Sequence, residues 1–451
     1  MPRVRRVRGE AFLALALLNI FVLITGFVAL DVIEARPIPA VPDPVTHADG
    51  VAAVAPAAPT PANPERIADI LDDPMSASGL EEGLSGYVVD GVTGRTLFER
   101  GADTPVTPAS TTKIATAVAV LNAVGPDHVL RTEVYLDPEE NRVVLRGGGD
   151  ATLTVTADPA AYPQVATLEE LAEDTVRALA DQGIDTVTVG YDDSFFSGPD
   201  TGPGWKPNYV TEGSTATIHA LLVDQGRVDP EVSTRVPNPP LAAAEAFADQ
   251  LERAGLTIEG TPSEAASVGE PIASIDSAPV VALVEFMMLA SDNNMAESLG
   301  RIAALEMGAE PDFAGAAAAT HRIMDDLDID GVELSDNSGL STENRITPRA
   351  LVQLVEVASK TPELNATITG LPTAHSTGTL AGRYSEYSTS HDAAGMVRGK
   401  TGTLDGVSTL AGTIHDQEGN TFLFALMANS PGATGPRLDA LAAALARCGC
   451  S

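Results

Sequence analysis

Lysine is almost absent from this chain. Its 451 residues include only Lys113, Lys206, Lys360 and Lys400, and every other basic residue is an arginine. Arginine stays protonated in proteins, so a site that needs a neutral amine has only these four positions to draw on. Cysteine is scarcer still, confined to Cys448 and Cys450 in a terminal "CGC". No CxxC pair and no HExxH motif occurs, so the zinc-site signatures are missing. The two cysteines can close a small disulfide if the chain is exported, or stay as two thiols at a loose end; composition leaves both open. Positive charge is short as well. The 27 basic residues face 62 acidic ones, a formal net charge of −35. Such a surface repels phosphates, which argues against a nucleic-acid partner and fits plain solubility. There is no G-x-S-x-G elbow, and the seven histidines, among them His219, His375 and His391, fall in no motif. The "GGGD" at 147–150 lacks the lysine and helix start of a phosphate loop.

What the chain does have begins with one long apolar run. Arg3, Arg5, Arg6 and Arg8 precede "AFLALALLNIFVLITGFVAL" at 11–30, which carries no charge. As a helix it spans roughly 30 Å, about one hydrocarbon core. It ends in Phe27-Val28-Ala29-Leu30, a poor cleavage site, so an uncleaved signal anchor is favoured over a removable signal peptide. The arginines keep residues 1–10 cytoplasmic and place the remainder on the extracytoplasmic face of the membrane. The Pro/Ala-rich stretch 31–75 reads as an extended spacer.

Globular texture starts near residue 80. "SGYVVDGVTGRTLFERG" reads as a β-hairpin. Thr107 and Pro108 are suited to open a helix in which Ile114, Val118 and Leu121 recur at helical spacing. The middle of the chain mixes helices such as "LEELAEDTVRALADQG" with strands such as "TVTVG". "PVVALVEFMMLASDNNMAESLGRIAALEMG" reads as two helices joined near Ser291. "STLAGTIHDQEGNTFLFALMAN" reads as a second hairpin, followed by a last helix.

Two of the four lysines sit in motifs. Ser110 and Lys113 lie three residues apart, on one face of a helix, where hydroxyl and amine can meet. A serine needs such a base to become nucleophilic. A lysine serves once burial and nearby positive charge lower its pKa. Helix-start N–H groups supply that potential and can hold an oxyanion. Alone, S-x-x-K is a weak pattern. Here it is followed by "SDN" at Ser291-Asp292-Asn293 and by "KTGT" at Lys400-Thr401-Gly402-Thr403. S-x-x-K, S-D-N and K-T-G in this order resemble the set carried by penicillin-recognising serine enzymes. A second "SDN", Ser335-Asp336-Asn337, is not excluded by spacing alone.

Further stretches, "LRGGGDATL" (145–153), "PGWKPNY" (203–209), "SDNSGLSTENRITPRAL" (335–351) and "LPTAHSTGTLAGRY" (371–384), extend the likeness over roughly residues 80–445. The chain resembles the class C low-molecular-mass penicillin-binding proteins, the D-alanyl-D-alanine carboxypeptidase/endopeptidase type. The resemblance implies an α/β (α+β) fold, with an antiparallel sheet flanked by helices, a helical subdomain and an inserted α/β domain. Catalytic-domain segments are then expected at 76–131 and 271–451, and the insert at 132–270. That insert would account for the separation of 178 positions from Lys113 to Ser291. The resemblance also selects Ser291 over Ser335. It implies Ser110 as nucleophile, Lys113 as base and Ser291 as proton shuttle. Asn293, Lys400, Thr401, Gly402 and Thr403 would bind a peptidoglycan stem peptide, β-lactams would acylate Ser110, and no metal or organic cofactor would be required. A β-lactamase and a catalytically idle wall-binding scaffold are the rival readings. N-terminal sequencing of the mature protein tests the anchor: an intact start is expected, and a chain beginning after Leu30 would remove it.

Overall fold

The computed structural model describes residues 62–450, apart from 79, 81, 230 and 231. The basic N-terminus, the apolar run at 11–30 and residues 31–61 lie outside the described residues. Among the described residues no helix is long and apolar enough to cross a membrane.

The central sheet is antiparallel and contains β1 (Leu84–Asp90), β2 (Thr96–Arg100), β11 (Val397–Leu404), β12 (Val407–His415) and β13 (Thr421–Asn429). Their order is β11-β12-β13-β1-β2, so β11 is an edge strand. The two expected hairpins are the pairs β1–β2 and β12–β13. In β13 the apolar residues are not interrupted by polar ones, because both faces of the sheet are covered. Leu423, Ala425 and Met427 join a core with Ile114, Val118, Met287, Leu299 and Leu351. Phe422, Phe424 and Leu426 point the other way, into a core with Ile67, Leu71, Leu438 and Leu441.

The first core belongs to a helical layer of α2 (Thr112–Val124), α5 (Val280–Ala290), α6 (Asn293–Glu306), α7 (Phe313–Asp326) and α8 (Pro348–Lys360). The joint between α5 and α6 falls where the sequence puts it, at Ser291, whose φ of 59° is left-handed. The second core is closed by α1 (Pro64–Ser78) and α9 (Gly435–Ala446). Here the structure corrects the sequence reading, since 64–75 was expected to be spacer. Ile67, Leu71 and Met75 recur every four residues and are buried, so this stretch has an apolar stripe that its proline content conceals. Pro64 occupies the first turn, where a missing N–H costs nothing. The start and the end of the described region meet there: the Asn63 amide donates to the Cys450 carbonyl (2.7 Å) and Arg66 to that of Gly449 (3.0 Å). Cys448 and Cys450 are joined as a disulfide.

A second, six-stranded sheet contains β3 (Arg131–Asp137), β4 (Arg142–Arg146), β5 (Thr186–Asp192), β6 (Thr257–Ile258), β7 (Ser263–Glu264) and β8 (Pro271–Asp276), and β9 (Val332–Glu333) pairs with β10 (Arg345–Ile346) in a separate two-stranded ribbon. β3 pairs antiparallel with β4 and β8, whereas β4 and β5 are parallel. The parallel pair is connected by α3 (Leu168–Ala180), whose first turn is capped by the Thr167 hydroxyl accepting from Glu170 N (3.2 Å). α3 and α4 (Pro239–Arg253) share a separate core with this sheet, including Leu145, Val189, Leu171 and Phe247. The region expected as one insert is divided in its packing. Phe196, Ala216, Ala220 and Leu222 join the core under α2 and α6 instead. The Asn294 side-chain oxygen fixes that return by accepting from Ala216 N (3.0 Å).

The docking of α1 gives a stability test. Leu71 is 1% exposed, and Leu71→Ala should cost about 2–5 kcal/mol in urea unfolding. An unchanged midpoint would mean that α1 is no part of the cooperative unit.

Candidate active site

Ser110 does not sit in the first turn of a helix begun at Thr107, as the sequence suggested. Ala109 has φ 49°, which no helix start tolerates, and α2 begins only at Thr112 after a short 3₁₀ turn. Thr107 is instead tied to the end of β13: its amide donates to Asn429 Oδ1 (3.0 Å) and its carbonyl accepts from Asn429 Nδ2 (3.2 Å). The next carbonyl, of Pro108, accepts from the hydroxyls of Thr111 and Thr409, both at 2.7 Å. Ser110 is thus carried on a turn anchored to the sheet, and it is half-buried.

Lys113, one turn later, is fully buried. Its Nζ lies 3.1 Å from Ser110 Oγ, 2.6 Å from Asn293 Oδ1 and 2.6 Å from the Ser338 carbonyl oxygen. The Asn293 amide is oriented unambiguously, because its Nδ2 donates to the Ser214 carbonyl (2.8 Å), which can only accept. Burial lowers the Lys113 amine to about 8, against the opposing pull of Asp336, Asp292 and Glu297. A group so placed changes protonation near neutral pH, as a base at a reactive serine must.

The "SDN" segment divides its labour. Asp292 caps α6 by accepting from Met295 N (2.7 Å), and Ser291 and Asn293 flank it toward the lysines. Lys400 Nζ donates to Ser291 Oγ (2.8 Å) and to the Thr401 carbonyl (3.1 Å). Lys400 is also fully buried, and its amine is held well below the ordinary lysine range, first by burial and then by the charge of Lys113. On β11 the Gly399 amide points off the sheet edge to the Pro372 carbonyl (2.9 Å). Backbone direction alternates along a strand, so Thr401 and Thr403 also turn their amides to the open edge. The Thr401 hydroxyl pairs with that of Thr379 (2.8 Å), and Thr403 is exposed.

Ser110, Asn293 and Thr403 line a cleft of about 390 Å³ together with Tyr209, Glu212 and Ser214, and the buried amines lie behind its wall through their bonds to Ser110, Asn293 and Ser291. The structure therefore brings together every residue singled out from the three motifs. Of the remaining lysines, Lys206 pairs with Asp405 at the cleft wall and Lys360 with Glu356 (2.5 Å) on the outer face of α8. The second "SDN" is scaffold. Asp336 accepts from Trp205 Nε1 (2.7 Å), Ser341 N (2.6 Å) and Asn344 Nδ2 (2.7 Å), and Asn337 Oδ1 accepts from Thr320 (2.8 Å). The Ser338 and Ser214 carbonyls were not foreseen. Backbone oxygens leave no mark in residue type, although Ser338 lies in a stretch, 335–351, that carried the family resemblance.

Gly402 yields a sharp test. A Cβ there would stand 2.7 Å from the Pro108 oxygen and 2.9 Å from Ser110 N, both backbone atoms. Gly402→Ala must push β11 off the serine turn and should slow covalent labelling of Ser110 by about 10²-fold. Labelling at the unaltered rate would show that β11 and the turn are not rigidly apposed.

The model of the D-Ala-D-Ala carboxypeptidase 3 (S13) family matches residues 64–235 and 231–447. Carboxypeptidase DacB of Mycolicibacterium smegmatis is 38% identical over 426 residues, covering 92% of this chain and 91% of that protein. The crystal structure of penicillin binding protein 4 from Haemophilus influenzae superposes with a TM-score of 0.68 at 22% identity, covering 83% of this chain and 98% of that one. The same protein complexed with a β-lactam gives 0.62 at 20% identity, over 84% and 98%. The shared architecture is the penicillin-binding fold, and this chain, matched along most of its length, belongs to the D-Ala-D-Ala carboxypeptidase 3 (S13) family.

Proposed function

We propose that this family member removes the terminal D-alanine of peptidoglycan stem peptides through an acyl-enzyme on Ser110. The observation that carries this reading is the fully buried Lys113 amine, 3.1 Å from Ser110 Oγ. Ser110 Oγ attacks the carbonyl carbon of the penultimate D-Ala, and its proton passes to neutral Lys113. The oxyanion is received by the amides of Ser110 and Thr403; one such donor is typically worth about 10²–10³ in rate. Ser291, in contact with Lys400, relays a proton to the leaving D-Ala nitrogen as the C–N bond breaks. Water then attacks the ester, and Ser110 regains its proton.

Both buried amines resist charge in the empty site. The incoming substrate carboxylate, bound by Lys400 and the hydroxyls of Thr401 and Thr403, restores the proton to Lys400. Two ammonium groups in one dry site repel, so Lys113 is the one left neutral. Asn293 and the backbone of Thr403 grip the peptide on the acyl side, and Gly402 keeps β11 close. A β-lactam follows the same route and stops at the acyl-enzyme. The catalytic unit comprises 76–131 and 271–451, joined by α1, with 132–270 inserted. An anchor at 11–30 would hold it at the extracytoplasmic membrane face.

Labelling with a fluorescent penicillin tests the reading. The adduct should map to the peptide containing residue 110, and Ser110→Ala should abolish both the label and D-Ala release from a D-Ala-D-Ala peptide. The labelling rate should climb as pH rises through about 8, where Lys113 loses its proton. An adduct elsewhere, or a wild type that takes no label, would refute the assignment.

A further inference from the structure

Lys113 has three oxygens around its nitrogen, and their chemistry differs. Asn293 Oδ1 and the Ser338 carbonyl are acceptors only, both at 2.6 Å. A neutral amine has two N–H groups and one lone pair. With both N–H groups taken by those acceptors, the lone pair is left facing Ser110 Oγ. The aim of the base therefore depends on where the Ser338 carbonyl is held.

That carbonyl belongs to a loop clamped from behind by Glu297, one turn after Asn293 on α6. The Glu297 side chain is fully buried. Its Oε1 accepts from Ser338 N (2.7 Å) and Asn337 N (3.1 Å). The Asn337 carbonyl accepts from Thr116 on α2 (2.6 Å), one turn beyond Lys113. Gly300, on the same helix, lets α6 approach closely: a Cβ there would lie 2.6 Å from Asn337 Cγ. The other Glu297 oxygen, Oε2, has no hydrogen-bond partner and faces Arg301 Nη1 at 3.6 Å. We propose that Glu297 is a positioning residue for the base, holding the Ser338 carbonyl on Lys113 and coupling its own charge to that amine.

The charges around this pair are few. Asp336 on the loop, Asp292 at the head of α6 and Arg301 face Glu297 or Lys113, and Lys400 approaches from β11. Arg301 is itself buried, stacked over Phe313 at 4.1 Å, with Asp312 and Asp200 near it. Burial, then Asp336, raises the Glu297 carboxyl to about 7, toward the range in which Lys113 titrates. An ionised Glu297 favours the charged form of Lys113 and holds the useful neutral form to higher pH.

This inference rests on the peptidase reading, and the experiment separates the two. The rate of acylation by a fluorescent penicillin is measured against pH for wild type, Glu297→Gln and Glu297→Ala, with circular dichroism and melting temperature for each. Gln keeps an acceptor and removes the charge, so the acid limb should move down by about one pH unit while the plateau stays. Ala loses both, and the plateau should fall about 10²-fold. A purely structural glutamate would leave the limb of folded Glu297→Gln in place, and that result overturns the proposal. Should either variant not fold, Glu297→Asp decides: charge is kept and reach shortened, so the plateau drops about tenfold with the limb unmoved. A full plateau in Glu297→Asp also overturns it. If wild type itself takes no label, the peptidase reading fails and this inference falls with it.

Discussion

The structure depends on keeping one amine dry. Lys113 is enclosed on all sides, and a buried ammonium without partners is among the least tolerable groups in a protein. Each oxygen that receives it comes from a different part of the chain: the turn before α2, the head of α6, and the loop around Ser338. Those three segments are 180 and 225 positions from Lys113 or next to it. They can meet only if the sheet, the helical layer and the returning segment 193–223 are all in place. Folding and chemistry thus share a single requirement.

Two of the left-handed non-glycine residues flank the same spot. Ala109 and Ser291 both take left-handed backbone conformations, on either side of the Ser110–Lys113 pair. Neither is glycine, so each costs conformational energy that the surrounding contacts offset. At Ala109 the contacts are the hydroxyls gathered on the Pro108 carbonyl. At Ser291 they are the Asp292 cap and the bond from Lys400. Local strain at residues that present reactive side chains is a recurring feature of reactive centres.

Much of this was legible in the sequence because side chains carried it. Lysine scarcity pointed to Lys113 and Lys400, and the spacing of "SDN" and "KTGT" supplied their partners. The hairpins and the α5–α6 joint followed from alternation and helical periodicity. Three things were hidden. The helix at 64–78 has a short apolar stripe set in a Pro/Ala-rich stretch, so composition outweighed period. The start of α2 could not be read, because proline and threonine signal a cap and nothing announces a left-handed alanine. The part played by Ser338 is a carbonyl, and every residue has one. Glu297 stood in plain view, yet a glutamate on a helix looks like solvent-facing charge until its neighbours are known.

The meeting of Asn63 with Cys450 has a topological consequence. A folded region whose opening and closing segments share a hydrogen bond is in effect a ring, cut at one place. Its terminal helices cover the sheet face opposite the helical layer, so the cut lies on the far side of the sheet from α2 and α6. Circular permutation of the folded region, joining the chain near residues 63 and 450 and opening it in a surface loop, would alter connectivity while leaving the cleft's walls as they are.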